Sequence, residues 1–275
     1  MPRPFISLLT DFGLRDPSAA ICRGVIAGIA PDATVLDISH EVRKFSIRDG
    51  ALLLWCALPF LPVGTHVAVV DPGVGTARRP IALRTGRGDV LIGPDNGLLI
   101  AGAERIGGPL EARELVDPTY RLPAVSTSFH GRDIFAPAAA HLARGVAFEA
   151  LGPVIDPATL VASPLPAPIA RTGALETSIV YVDTFGNVKL SGLAVDLVAA
   201  IGPLAPGDPL ALQLGQGREA RTELVPWAVT FGSVAAGSGL LYEDSYGRLC
   251  LADNQASAAA RLRLVEDLPI VVRRA

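Results

Sequence analysis

Apolar residues in the first half of the chain fall in short dense runs separated by polar turn formers. Residues 5–9 form one such run, 35–38 a second and 66–70 a third. Runs of this length, bounded by Gly, Pro, Asp and Thr, predict buried strands. Between them, residues 18–29 and 46–58 carry apolar positions at helical spacing, and the first of these is opened by Asp16-Pro17 and followed by Pro31. An acid and a proline at the start, with a proline beyond the end, are helix boundaries. The β-α-β-α-β rhythm predicts an α/β domain with a mostly parallel sheet and helices on both faces. Residues 80–83 and 90–92 read as further strands, and 134–143 as a helix rich in small residues.

The pattern changes after residues 163–168, where Pro164, Pro166 and Pro168 alternate with other residues. Closely spaced prolines favour an extended connection. The expected division is an N-terminal domain at 1–163, a linker at 164–170 and a C-terminal domain at 171–275. Beyond the linker, short apolar runs at 178–182, 188–190, 210–214, 228–231, 239–242, 248–251 and 261–265 are punctuated by turns. They predict the strands of a smaller, all-β, barrel-like domain.

Half of the 275 residues are apolar, which is enough for a sizeable core. Net charge is −3 with both signs interspersed, so no basic face for nucleic acid or anionic membrane is expected. The longest apolar stretch, 51–63, contains Pro59 and Pro62 and is too short to span a bilayer. Asp11 interrupts the first apolar run too early for a signal sequence, and a cytoplasmic protein is expected. Cys22, Cys56 and Cys250 are odd in number and set among apolar residues, as buried reduced thiols are. The histidines, His40, His66, His130 and His141, form no zinc motif, so neither a metal nor another cofactor is expected.

Chemistry concentrates where strands end. The third run ends in Asp71-Pro72-Gly73-Val74-Gly75, followed by Arg78 and Arg79; open α/β sheets bind ligands at this end of their strands. The residues alone also fit an ordinary strand-to-loop corner with solvated arginines. Asp11 repeats the placement after the first strand, where a carboxylate can accept from a ribose diol or simply satisfy a turn. Asp16 reads as a helix cap, and His130 lies just before a helix start, as a catalyst or as a cap. In Asp183-Thr184-Phe185-Gly186-Asn187, a hairpin turn also offers a stacking ring and an amide for a purine edge. Gly73-Val74-Gly75 lacks the third glycine of a dinucleotide fingerprint and the Gly-Lys-Ser/Thr of a P-loop, and no G-x-S-x-G elbow occurs.

Taken together, LLTDFG (8–13), VVDPGVGTARRP (69–80), GPDNGLL (93–99), FHGRDIFAPAAAHLA (129–143) and DTFGNVKL (183–190) resemble the S-adenosylmethionine hydroxide adenosyltransferase family, relatives of fluorinating and chlorinating enzymes. The resemblance covers nearly the whole chain. It implies an N-terminal α/β domain joined to a C-terminal β-barrel, and a homotrimer binding S-adenosylmethionine between one subunit's N-terminal domain and a neighbour's C-terminal domain. It also implies displacement of methionine from ribose C5′ by water, giving adenosine and L-methionine. The family's triad falls on Asp71, Arg78 and His130. By resemblance Asp11 holds the ribose, Phe45 and Phe185 flank the nucleoside, Asn187 reads adenine, Asp183 meets the methionine ammonium and Ser245 its carboxylate. Gly131, Phe231 and Tyr246 complete the substrate-binding set, although halogenating relatives carry an arginine at the position of Tyr246. They carry a tyrosine at that of Asp71, and Gly131 stands where fluorinating enzymes have a serine. A chloride-dependent halogenase and a non-catalytic binder of adenosine or S-adenosylmethionine are the alternatives.

Overall fold

The computed structural model describes residues 3–275, which divide into two compact units, one ending at Pro164 and the other running Leu165–Ala275. The first unit contains strands β1 (Phe5–Thr10), β2 (Thr34–Ser39), β3 (Thr65–Val69), β4 (Pro80–Thr85), β5 (Val90–Pro94), β6 (Pro109–Glu114) and β7 (Val154–Ile155). Its helices are α1 (Ser18–Ile29), α2 (Ile47–Ala57), α3 (Ile100–Arg105) and α4 (Ala136–Ala143). The sheet order is β2-β1-β3-β5-β4-β6-β7. Pairing is parallel from β2 through β5, and β4, β6 and β7 add an antiparallel half.

Alternation along the central strands supplies both faces. Ile6 and Leu8 of β1 and Val67 and Val69 of β3 pack with Cys22 and Ile26 of α1 and with the alanines of α4. Val70 meets the other layer at Gly50 of α2, where an added Cβ would stand 2.9 Å from a Val70 methyl and 2.7 Å from Leu98. Ser46 caps α2 by accepting from the Asp49 N–H at 3.3 Å. The helix expected at 134–143 begins earlier, as a π-helical turn over Gly131–Phe135 that runs into α4. His130 directly precedes that turn.

The second unit holds β8 (Ile169–Arg171), β9 (Ala174–Val182), β10 (Val188–Leu193), β11 (Pro209–Leu214), β12 (Arg221–Ala228), β13 (Gly239–Glu243), β14 (Arg248–Asp253) and β15 (Pro269–Arg274), with helices α5 (Ala194–Ile201) and α6 (Ala258–Leu262). The first half of β9 pairs with β15 and its second half with β10, so the ring β10-β14-β13-β12-β11-β15-β9 closes into a seven-stranded barrel and leaves β8 as an appended edge. Closure leaves one continuous apolar interior, including Ile179, Leu190, Leu212, Leu241, Leu251 and Val272.

Two strands expected in this half are corrected. The run at 228–231 is where β12 leaves the sheet: it ends at Ala228, Val229 is exposed, and Phe231–Ser233 winds into a 3-10 turn. The strand lies earlier because its register is set by pairing with β11, which spans Arg221 to Pro226 despite the charged start. Residues 261–265 are not a strand either. Ser257 caps α6 by accepting from Ala260 N–H at 3.1 Å, and Arg263, at φ 47°, ends it. The strand at this end of the chain is β15, over Pro269–Arg274.

Candidate functional site

The loop after β3 curls back on itself, so that residues seven apart in sequence meet. Arg78 Nε donates to both Asp71 oxygens at 3.0 and 2.9 Å, and its Nη2 also donates to Asp71 Oδ2. The same Nη2 lies 2.8 Å from Nδ1 of His130. Asp71 and Arg78 side chains are 5% and 9% exposed, and the guanidinium carbon lies 5.3 Å from the centre of the Phe135 ring. Asp71, Arg78 and His130 are thus brought together.

Gly75 explains how loops so far apart in sequence approach. It has φ 77°, and a Cβ there would fall 2.3 Å from the carbonyl oxygen of Thr127. The loop bearing His130 is pinned from its other side by Asp133, whose fully buried carboxylate accepts from Ser126 N–H and Oγ, both at 2.8 Å, and from Arg132 Nε at 2.6 Å. Burial, then the Arg78 cation, hold the His130 pKa below the ordinary imidazole value, with Asp71 opposing.

Beside this cluster is a small cavity of about 90 Å³ whose wall includes Asp11, Phe45, Asp71, Phe129, His130 and Gly131. Asp11 follows β1, and its Oδ2 accepts from Phe45 N–H at 2.9 Å, while Lys44 Nζ donates to its carbonyl. Phe45 has φ 64° and is 71% exposed, so its ring projects outward. Thr10, buried behind Asp11, bonds His40 Nδ1 at 2.8 Å and accepts from Phe12 N–H at 3.2 Å. Gly131 backs onto Phe12: a Cβ would lie 3.0 Å from its ring. The cavity has the size for water and is far below that of ordinary nucleoside-sized pockets.

The remaining expected residues line a separate cleft of about 1010 Å³ in the barrel unit, where Asp183, Phe185, Asn187, Phe231, Ser245 and Tyr246 all contribute to the wall. Asp183 organises the β9-β10 turn: Oδ1 accepts from the N–H groups of Phe185 and Asn187, and Oδ2 from Asn187 Nδ2, each at 2.9 Å. Gly186 makes that turn possible, with φ 82° and a Cβ position 1.9 Å from Ser257 Oγ. The turn leaves Phe185 79% exposed and Asn187 buried, with its amide oxygen not used by Asp183. Phe231 packs on Tyr242 at 5.0 Å between ring centres.

Several polar groups around these sites escaped the sequence pattern. Asp133 and Lys189 lie inside the quoted motifs FHGRD and FGNVK, and that was the available signal. Arg79, read as solvated in the simplest account, pairs with Asp95 through Nε at 2.8 Å and with the Thr159 carbonyl at 2.8 Å, which ties the same loop to the turn that follows β7. Among the described residues, no group of three or more His, Cys, Asp or Glu side chains is placed to hold a metal, and no helix is long and apolar enough to cross a membrane.

Residues 6–152 match the SAM hydroxide adenosyltransferase N-terminal domain and residues 177–271 the corresponding C-terminal domain. Two proteins named (R)-S-adenosyl-L-methionine hydrolase are similar along nearly the whole chain. The one from Salinispora tropica is 43% identical over 94% of this chain and 93% of its own. The one from Salinispora arenicola is 42% identical over 93% and 92%. A fluorinase from Actinopolyspora mzabensis is more distant, at 30% identity over 99% of this chain and 98% of its own. The crystal structure of an uncharacterized conserved protein from Thermotoga maritima superposes with a TM-score of 0.89 at 32% identity, covering 98% of this chain and all of that one.

Proposed function

The chain belongs to the SAM hydroxide adenosyltransferase family, and on that premise we propose that it hydrolyses S-adenosyl-L-methionine to adenosine and L-methionine. The observation that carries the reading is the meeting of Asp71, Arg78 and His130 beside a water-sized cavity that Asp71 and His130 line. The name of the relatives carries an R descriptor. Because "L" already defines the α-carbon, the descriptor falls on the sulfonium, and the R epimer at sulfur is the proposed substrate.

The chemistry asks little of a general acid. Water oxygen bonds to C5′, the C5′–S pair returns to sulfur, and methionine departs as a neutral thioether. What remains is to hold a water in line and remove its proton. Water itself, with a pKa of about 15.7, is a poor nucleophile, and fixing it at the reacting carbon is the main contribution a site can make.

The three side chains divide that task. A guanidinium only donates hydrogen bonds, so the Arg78 contact makes His130 Nδ1 an acceptor and places the proton of the neutral ring on Nε2. This supports water orientation by His130 rather than proton acceptance. Asp71 lines the cavity and has acceptor capacity beyond its bonds to Arg78, so it is the group proposed to take the water proton as the C–O bond forms. Arg78 is not part of the cavity wall; it holds both partners and supplies a permanent positive charge behind them. A carboxylate at this position also repels a halide, which favours hydrolysis over chlorination.

Asp11 is proposed to accept from the ribose hydroxyls, with Phe45 and Phe185 against the nucleoside, Phe231 in the same apolar wall, and the Asn187 amide on the adenine edge. Asp183 and Ser245 are the proposed contacts of the methionine ammonium and carboxylate. The catalytic cluster borders a cavity too small for a nucleoside, while the residues proposed to hold the nucleoside and methionine line a different cleft, which supports a site shared between neighbouring copies in a homotrimer. Mixing an Arg78→Ala chain with an Asn187→Ala chain should then recover activity that neither variant has. No added cofactor, nucleic acid or membrane enters this reading, and three buried cysteines with no disulfide between them support a cytoplasmic location.

The deciding experiment incubates the purified protein with each sulfonium epimer in oxygen-18 water, with and without chloride, and follows the nucleoside by mass spectrometry. Labelled adenosine from the R epimer establishes water attack at C5′. A 5′-chloronucleoside would mark a halogenase, and binding without product would mark a sensor.

A further inference from the structure

Five charged side chains line the barrel cleft among the described residues, and four are acids: Asp183, Glu243, Asp244 and Asp253 stand against Lys189. Two of the acids are committed elsewhere. Asp183 holds its own turn, and Asp253 is gripped by Arg261 through Nε at 2.7 Å and Nη2 at 2.8 Å. An incoming anion therefore meets a repulsive cleft except at Lys189.

Lys189 is held for such a contact. It stands on β10 opposite Tyr181 of β9 and Cys250 of β14, and its side chain lines the cleft. The ammonium pairs with Asp244 and sits 5.0 Å from the centre of the Tyr246 ring, with only 12% of the side chain exposed. Asp244 does not cancel it outright, because Oδ1 of the same carboxylate also accepts from Tyr246 N–H at 2.9 Å and Arg248 N–H at 3.0 Å. The two backbone N–H dipoles on that carboxylate share its charge, so the ammonium keeps donor capacity for a second anion. The aromatic face and the adjacent exposed Ser245 then form the floor around it.

We infer that Lys189 is the residue that recognises the α-carboxylate of the substrate's amino-acid half, with Tyr246 orienting the ammonium and Ser245 adding a neutral donor. The inference rests on the proposed hydrolase reading. It assigns to a strand residue the cation that a zwitterionic methionine moiety requires, in a cleft whose other charges are all acidic.

The test compares S-adenosylmethionine with its decarboxylated analogue, which keeps the amine and the sulfonium. In the unmodified enzyme the carboxylated substrate should have a KM lower by roughly 10- to 100-fold, the range of a charge-assisted hydrogen bond. Lys189→Gln retains an N–H donor for Asp244 while removing the charge. It should raise KM for S-adenosylmethionine by a similar factor with a much smaller change in kcat, so that the difference between the two substrates collapses. Lys189→Arg should restore most of it. If Lys189→Gln discriminates as the unmodified enzyme does, the assignment is overturned. Equal KM values for the two sulfoniums in the unmodified enzyme would overturn it as well, and that comparison holds even if the variant does not fold. An enzyme that hydrolyses neither sulfonium would instead overturn the hydrolase reading itself.

Discussion

Arg78 Nη2 stands 2.8 Å from Nδ1 of His130, a contact in which only the arginine can donate. The ring is thereby held neutral with its proton on Nε2, and burial together with the Arg78 charge keeps its pKa below the ordinary 6.5. Protonation would remove the acceptor and set two cations against each other.

The first prediction concerns pH. Since the pKa is lowered, the neutral ring persists through pH 7, and kcat/KM should be flat there and fall only on the acid side of 6.5. His130→Asn, which can still present an oxygen to Arg78, should keep more activity than His130→Ala, whose loss should be about 10- to 100-fold. An acid limb centred above 6.5 would contradict the lowered His130 pKa, and an Asn variant as impaired as Ala would return His130 to the role of base.

Arg78→Lys tests whether charge alone suffices. A lysine keeps the positive charge but loses the planar fork that reaches Asp71 and His130 together. We expect kcat to fall by about 10²- to 10³-fold, the cost of removing one pre-organised donor, with KM nearly unchanged. Steady-state kinetics on the R epimer decide it.

Gly131→Ser would place a hydroxyl beside the cavity, but its Cβ would meet the Phe12 ring at 3.0 Å. Displacing that ring should destabilise the domain by about 1–3 kcal/mol. With Asp71 still in place, the variant should form no chlorinated nucleoside at high chloride. Thermal unfolding and product analysis of the same sample test both parts.

Asp89 anchors a buried cluster remote from the cavity. His66, fully buried between them, bonds Ser7 Oγ at 2.7 Å and Asp89 Oδ1 at 2.9 Å, and Arg87 Nε donates to Asp89 at 2.7 Å. Burial alone would raise the Asp89 pKa, but the bonds from His66, Arg87 and the Gly64 N–H outweigh it and hold the pKa well below 3.8. A lowered carboxylate pKa contributes stability that is present above 3.8 and lost as pH falls through the folded value. Asp89→Ala should therefore cost roughly 3–5 kcal/mol near neutrality, by leaving its partners unpaired, and should flatten the acid limb of stability below 3.8. Urea titrations across pH measure both.

The places where sequence and structure part company share a cause. Helix α1 was legible to the residue because its opening Asp16-Pro17, its apolar spacing and its following proline are all local. The run at 261–265 misled because apolar content does not distinguish a short capped helix from a strand, and the cap at Ser257 lies outside the run. β12 misled for the opposite reason: its charged start is strand only because β11 pairs with it.

Local pattern along the chain was enough to specify an α/β half and a β half, the strand-end positions of Asp11 and Asp71, and the turn that displays Phe185. Each follows from alternation, turn formers and spacing within about a dozen residues. Which groups meet depends on the assembled fold. His130 reaches Arg78 across 52 positions because Gly75 lets two loops touch, and Lys189 reaches Asp244 across 55 because β9 and β14 flank β10 in a closed ring. Contacts of that range depend on packing and register, which no local pattern of polar and apolar residues encodes.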